Sequence, residues 1–438
     1  MSYDRKRKLV GVVLSIFIIS ASTSVPFRTL MTMPELIRLS SGQEHVLNID
    51  LPFLRVQSDE EGLVSSGEWP LVISPMGTGE FHVEFRLFGI IPLRRIAVEV
   101  LPPMHVMPGG HSIGVLLHSH GVIVTNIVSV STHDGRTYRP AQEGGLVVGD
   151  IILSVNGETV MGDEHLAALV EKHGQSAVQL EVRQRDGSTR TRSVTPRLCS
   201  HTNDYRLGVW VRDTTAGVGT LTFYEPDSGV FAALGHVVSN HDTGEPVSMG
   251  AGRIVASTVT RVEAGRRGQP GEVVGAFTHT DAVLGIIRKN TDVGIMGMME
   301  EHIENPHFAQ PIPVAMSREV QTGPAEIYTV IEGRSIDKYE VKIVEVRQNP
   351  LPYGRLVIKI TDTELLQRTG GIIQGMSGSP IVQQGRLVGA ITHVLVGDPS
   401  RGYGVSAEWM ILESGIRHIA STRVGSYVVR PFFCKICG

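Results

Sequence analysis

Apolar and polar positions alternate strictly through Phe81-His82-Val83-Glu84-Phe85-Arg86-Leu87, and again through Ile96-Ala97-Val98-Glu99-Val100 before Pro102-Pro103. Successive side chains of a strand point to opposite faces, so a period of two predicts half-buried strands. The two runs predict a small β domain over residues 44–106, after a linker at 27–43 that shows no sustained period. A mixed texture follows. Apolar runs at 112–117 and 122–130 read as strands, and Leu166, Leu169 and Val170 mark one face of a helix. Asp163 is placed to cap that helix and Gly174 to end it. Val178, Leu180 and Val182 then alternate in a strand that turns at Asp186-Gly187. Residues 199–425 hold many short apolar strands between Gly-containing turns, with little helical period before Ala407. That pattern predicts a β-barrel or double barrel, and 426–438 form a tail.

Within the mixed segment, Gly149-Asp150-Ile151-Ile152-Leu153-Ser154-Val155-Asn156-Gly157, followed by the helix and its closing strand, resembles a PDZ domain, here bounded at 107–198. The resemblance implies a peptide added as an extra strand beside the helix, its end held by backbone N–H groups of a loop before the first ligand-facing strand. By that analogy the peptide-binding residues are Ser112, Ile113, Gly114 and Val115, with Ser112 standing where the family usually has Gly.

The N-terminus changes the picture. Arg5-Lys6-Arg7-Lys8 precede an uncharged stretch over 9–25 that ends at Pro26. Positive charge followed by an apolar run predicts a signal peptide or membrane anchor over 1–26, with the remainder outside the cytoplasm. The strongly apolar part, 9–19, is shorter than the roughly 20 residues that cross a bilayer, so 20–25 must contribute. A chain of 438 residues with 41% apolar and 19% charged residues predicts two to four folded domains. A net charge of -4, with no basic run beyond the N-terminus, excludes nucleic acid as an expected partner. Three cysteines make no disulfide framework, and Cys434 and Cys437 supply only half of a zinc site. No metal or cofactor is expected.

The sharpest chemical motif is Gly375-Met376-Ser377-Gly378-Ser379-Pro380. A serine flanked by glycines can sit exposed on a tight turn, with the N–H groups of Gly375 and Ser377 converging as an oxyanion hole. A strand at Ile381-Val382, a turn at Gln384-Gly385 and a second strand over 387–393 follow it. This layout is similar to that of chymotrypsin-like serine peptidases. A nucleophilic serine needs a base. Among 17 histidines, His236 ends the apolar run Gly229-Val230-Phe231-Ala232-Ala233-Leu234-Gly235, and it precedes Ser377 in the His-then-Ser order of that group. His279 and His393 are rivals, His393 reading as structural or substrate-lining, and His241 reads as a loop residue. Two aspartates compete for the third role. Asp292, in Asn290-Thr291-Asp292-Val293-Gly294-Ile295, has the better spacing after His236, whereas Asp362 lies only 15 residues before Ser377. Either aspartate also reads as a strand-end or helix-capping carboxylate.

Taken together, Phe88-Gly89-Ile90-Ile91-Pro92-Leu93, Ala233-Leu234-Gly235-His236, the run from Thr369 to Pro380, Thr392-His393-Val394, Gly402-Tyr403-Gly404-Val405 and Glu408-Trp409-Met410 resemble the stage IV sporulation protein B peptidases of spore-forming Firmicutes. That resemblance implies a PDZ-containing serine endopeptidase with Ser377 as nucleophile, His236 as base and Asp362 as acid. It also implies secretion to the space between mother-cell and forespore membranes, self-cleavage, and cleavage of a membrane-associated regulator that leads to activation of a late sigma factor. Two other classes fit parts of the chain: an envelope quality-control protease, whose peptidase domain normally precedes its PDZ domain, and a catalytically silent PDZ scaffold.

Overall fold

The computed structural model describes residues 23–416 except 43, 48–53, 60–63, 65–70, 76, 241–243, 245, 248, 278–281 and 348–354, and before residue 23 it describes only 11, 12 and 15. The segment read as a signal or anchor, His241, His279, Cys434 and Cys437 lie outside the described residues, apart from a few positions near the N-terminus. No helix among the described residues is long and apolar enough to cross a membrane.

The N-terminal domain opens with helix α1 (Val25–Thr32) and strand β1 (Leu36–Ser40). Strands β2 (Leu54–Ser58), β3 (Gly79–Leu87) and β4 (Ile91–Leu101) complete a sheet of order β1-β4-β3-β2, in which only β1–β4 is parallel. The alternation expected along β3 and β4 is present: Val83, Phe85, Ile96 and Val98 are buried, with polar neighbours on the other face. The expected linker at 27–43 is instead part of this domain. Leu30, Ile37 and Leu39 are buried in the same core, and they escaped notice because a short helix followed by an edge strand presents neither period for long.

The PDZ and peptidase parts are interleaved. Strand β5 (Ser112–Ile127) runs out of one core and into another; β6 (Ile151–Val155), helix α2 (Asp163–His173), β7 (Val178–Arg183) and β8 (Thr189–Val194) follow, and β9 (Val209–Tyr224) runs back. The PDZ core joins Val122 and Val124 of β5 to Ile152, Leu166, Leu169, Val170, Leu180 and Leu207. The other ends of β5 and β9 belong to a barrel closed by β10 (Val230–Ala233), β11 (Met249–Ala256), β12 (Val283–Thr291) and β13 (Gly294–Met299). Its ring runs β5-β9-β10-β13-β12-β11 and back to β5. Ile113 and Val115 lie in this barrel's core.

This corrects the peptide-binding assignment. Ser112, Ile113, Gly114 and Val115 pair with Thr220, Gly219, Val218 and Gly217 of β9 and, from Ile113 on, with β11. Their backbone groups serve the barrel wall, so they form no PDZ loop. The PDZ domain is thus an insertion in the first barrel, and its boundary moves from 107 to the β-bulge over 119–122. There Arg212 pairs with Ile123 but Thr214 with His118. Gly121, at φ +81°, packs so close that a Cβ would lie 2.4 Å from the Ile152 carbonyl oxygen.

A second six-stranded barrel follows. It is built from β14 (Gly323–Thr329), β15 (Asp337–Arg347), β16 (Arg355–Ile360), β17 (Pro380–Gln383), β18 (Arg386–Val394) and β19 (Arg401–Ser406), closed in the order β14-β15-β16-β19-β18-β17. Helix α3 (Thr363–Thr369) leads from β16 toward the Ser377 turn, and α4 (Ala407–Ser414) ends the described chain. Arg38 of β1 stacks its guanidinium on Trp409 of α4 and approaches Glu408 at 3.7 Å, tying the N-terminal domain to the second barrel.

Candidate active site

The two barrels meet at the turn that carries Ser377. Thr220 of the first barrel donates its N–H to the Ser377 carbonyl at 2.9 Å and its hydroxyl to the Gly375 carbonyl at 2.8 Å. Glycine is required on both sides of the serine: Gly375 and Gly378 adopt φ of +93° and +97°. A Cβ at Gly378 would lie 2.0 Å from the Thr220 carbonyl oxygen and 2.5 Å from Leu234 N. The Gly-x-Ser-Gly spacing therefore reflects both conformation and the close approach of the barrels.

From the opposite wall, β10 delivers His236 through two consecutive left-handed residues, Leu234 (φ +69°) and Gly235 (φ +72°). A leucine in that region is strained, and such strain persists only where its surroundings impose it. The next residues are fixed by Asn290 of β12. Its side-chain oxygen accepts from Val238 N–H at 2.8 Å, and its amide donates to the Val238 carbonyl at 2.9 Å and the Val247 carbonyl at 3.2 Å.

His236 and Ser377 line one cleft of about 570 Å³, with Ala216, Val218, Leu234 and His393 among their neighbours. The His236 and His393 rings lie 4.8 Å apart, centroid to centroid. None of the described residues lining the cleft is Asp, Glu, Lys or Arg. His236 Nδ1–H donates to the Val237 carbonyl at 2.8 Å, which leaves Nε2 as the lone-pair nitrogen. Burial holds the imidazole below its ordinary pKa, with that hydrogen bond pulling the other way, so the ring is neutral and basic near pH 7. The Ser377 hydroxyl donates to the Thr392 carbonyl at 2.7 Å rather than to His236. A register break in β18 between Ile391 and His393 leaves that carbonyl free to accept it. The N–H groups of Gly375 and Ser377 carry no hydrogen bond among the described residues, which is the condition in which a pair of donors can receive an oxyanion.

Neither aspartate reaches this cleft. Asp362 caps α3, accepting from Leu365 N–H at 2.9 Å and Glu340 N–H at 3.4 Å. It makes no hydrogen bond to His236, whose only hydrogen-bond partner among the described residues is Val237. Asp292 is exposed at the turn between β12 and β13 and does not line the cleft. The acid assigned by resemblance is therefore a helix cap in this structure, and the imidazole is oriented by a backbone carbonyl. Asn290, which holds the main chain that follows His236, stands two positions before Asp292 in the segment already singled out.

The PDZ groove was also misplaced. Along Val209–Arg212, β9 pairs with β5, and α2 packs beside it and beside the Tyr205–Arg206 strand. Leu207 is buried in the PDZ core and Gly208 turns at φ +74°. The sequence signal was Leu207-Gly208-Val209, a Gly between apolar residues at the start of a strand. It sat beyond the boundary drawn at 198.

Residues 203–411 match the family model described as SpoIVB peptidase S55, and residues 139–184 match a PDZ domain model. The two matches support a SpoIVB-type serine peptidase with a PDZ domain. Solved structures similar to this chain include the Rv3671c protease from M. tuberculosis. In its active form it is 16% identical, with 46% of this chain and 75% of that chain covered and a TM-score of 0.26. In its inactive form the identity is 16%, the coverage 45% and 84%, and the TM-score 0.26. A search of curated proteins returned no match. Among the described residues no group of three or more His, Cys, Asp or Glu is arranged to hold a metal ion.

Proposed function

We propose that this peptidase hydrolyses internal peptide bonds by acyl transfer through Ser377, with His236 as general base. The observation that carries this reading is a single cleft bounded by a hydroxyl from one barrel and a neutral imidazole from the other, beside two unpartnered N–H groups. In the reaction the Ser377 side chain turns from the Thr392 carbonyl toward His236 Nε2 and attacks the substrate carbonyl as its proton passes to the imidazole. The Gly375 and Ser377 N–H groups take the oxyanion. The Val237 carbonyl, already bonded to Nδ1–H, stabilises the imidazolium. His236 then protonates the leaving amine, and water releases the acyl group by the same steps reversed. The resting bond from Ser377 to Thr392 makes this arrangement a latent one, in which substrate entry supplies the turn of the side chain. If Ser377 and His236 act as a unit, Ser377→Ala reduces casein cleavage and self-cleavage by about 10⁶-fold. Retained cleavage would refute the assignment.

We infer that the substrates are proteins, recognised in part as an added strand between α2 and the Val209–Arg212 stretch of β9. Hydrogen-exchange protection of those backbone amides on adding an extended peptide checks this, and unchanged exchange counts against it. The biological setting we propose is the intermembrane space of a sporulating cell. There the enzyme, held or exported by residues 1–26, cleaves itself and a membrane-associated regulator so that a late mother-cell sigma factor becomes active. Support comes from the motifs shared with the stage IV sporulation protein B peptidases and from the matched family model. A late-sigma reporter in sporulating cells carrying only Ser377→Ala tests it. Normal reporter timing would sink the signalling role while leaving the peptidase chemistry standing.

A further inference from the structure

The hairpin between β3 and β4 ends in an apolar tip that the peptidase reading leaves unused. Phe88, Ile90 and Ile91 are 58%, 79% and 53% exposed. Ile90 N–H bonds to the Leu87 carbonyl at 3.1 Å across Phe88 and Gly89, both at positive φ, 55° and 74°. A turn with two left-handed central residues normally takes Asn-Gly or Gly-Gly. A phenylalanine there is strained, and its ring is largely exposed.

The flanks of the tip are basic. Arg55 of β2 lies opposite Arg86 of β3, and Arg95 of β4 lies opposite Glu84, so these residues share the outward face of the sheet. Glu84 pairs with Arg86 at 2.7 Å. Arg55 and Arg95 are exposed and form no ion pair among the described residues. The stem of Arg55 packs beside Gly89: a Cβ there would sit 3.6 Å from Arg55 Cγ. No acidic residue occurs between Glu84 and Glu99. A narrow convex prong with an apolar end and cationic shoulders suits a medium that deforms around it and carries negative charge at its surface.

We propose that this hairpin dips into a lipid bilayer, seating Phe88, Ile90 and Ile91 among the upper acyl chains while Arg55 and Arg95 bind anionic headgroups. The placement is independent of the catalytic cleft. It fixes the N-terminal domain against the membrane, and through the Arg38 contacts with Trp409 and Glu408 it sets the orientation of the second barrel.

The test uses the full chain reconstituted with vesicles of phosphatidylcholine and phosphatidylglycerol in which a fraction of the lipid is brominated near the headgroup end of the acyl chain. Ile90→Trp places a reporter at the exposed tip, and subtracting the emission of the parent protein isolates its signal. Bromolipid is expected to quench the added emission roughly twofold or more, with quenching lost on adding Arg55→Glu and Arg95→Glu. Peptidase activity serves as the control for folding in each variant. Added emission that ignores bromolipid but is quenched by aqueous iodide overturns the proposal. So does a signal that changes only with protein concentration, which would make the tip a contact between copies of the chain.

Discussion

Replacing Asn290 with alanine removes three hydrogen bonds at once from the segment that follows His236: one from Val238 N–H and two to the carbonyls of Val238 and Val247. Each is worth about 1 kcal/mol net, so the restraint on this segment falls by about 2–4 kcal/mol. The imidazole lies two residues from the released anchor, and a displacement of about 1 Å at a reacting group can lower a rate by about 10²-fold. For Asn290→Ala, kcat is therefore expected to fall by about 10- to 100-fold with a smaller rise in KM, because Val238 lines the cleft and is released too, while the walls at Val218, Ile372 and Val394 are untouched. The melting temperature should drop by several degrees, given about 2–4 °C per kcal/mol for a domain of this size. Steady-state kinetics on a fluorogenic peptide, with a thermal melt of the same preparation, separate the two effects. A variant that melts early but turns over at the parental rate would refute the argument that Asn290 positions the base, leaving it a structural residue only.

Other outcomes follow from the same geometry. Asp362→Ser keeps a capping oxygen for α3 and should retain parental kcat, whereas Asp362→Ala loses about 1 kcal/mol of stability with activity intact below its melt. A fall of about 10⁴-fold in a folded Asp362→Ser protein would restore that carboxylate to the catalytic set. Burial lowers the His236 pKa, so the acid limb of kcat/KM, which reports the base of the free enzyme, should lie below the ordinary histidine value of about 6.5. A limb at or above that value would contradict the buried, neutral base. By linkage, the folded chain takes up this proton less readily than the unfolded one, so stability should decline as pH falls below about 6.5. Among the described residues the cleft walls hold Val218, Leu234, Ile372, Val394 and Val396 and no Asp, Glu, Lys or Arg side chain. Profiling cleavage sites in a peptide library should thus show apolar side chains preferred next to the scissile bond, and a preference for Lys, Arg, Asp or Glu would show that another surface selects substrate.

The legible parts of this protein were those where chemistry dictates residue type at short range. Gly375 and Gly378 stand where positive φ and barrel contact exclude a side chain, so the tight turn around Ser377 was legible. His236 sits at the end of an apolar strand whose neighbours Ala232 and Ala233 are buried. Long-range pairing left no such mark. Residues 112–117 read as a strand in either barrel or PDZ domain, and only the bulge over 119–122 shows that one strand serves both. Likewise Asp362-Thr363-Glu364-Leu365 carries the local pattern of a helix cap, and resemblance to a family motif outweighed it. The hydrogen bond that holds the His236 ring goes to a backbone carbonyl, which no side-chain pattern can encode. Asn290 acts through the main chain of a segment 52 positions away, again beyond the reach of local spacing.

The most direct measurement is covalent labelling of the full-length chain with a fluorophosphonate, the modified residue mapped by mass spectrometry. The account predicts a single phosphonylated serine, Ser377, with labelling abolished in Ser377→Ala and slowed by at least about 10³-fold in His236→Ala. Labelling of a different serine, or an undiminished rate in a folded His236→Ala protein, would contradict it.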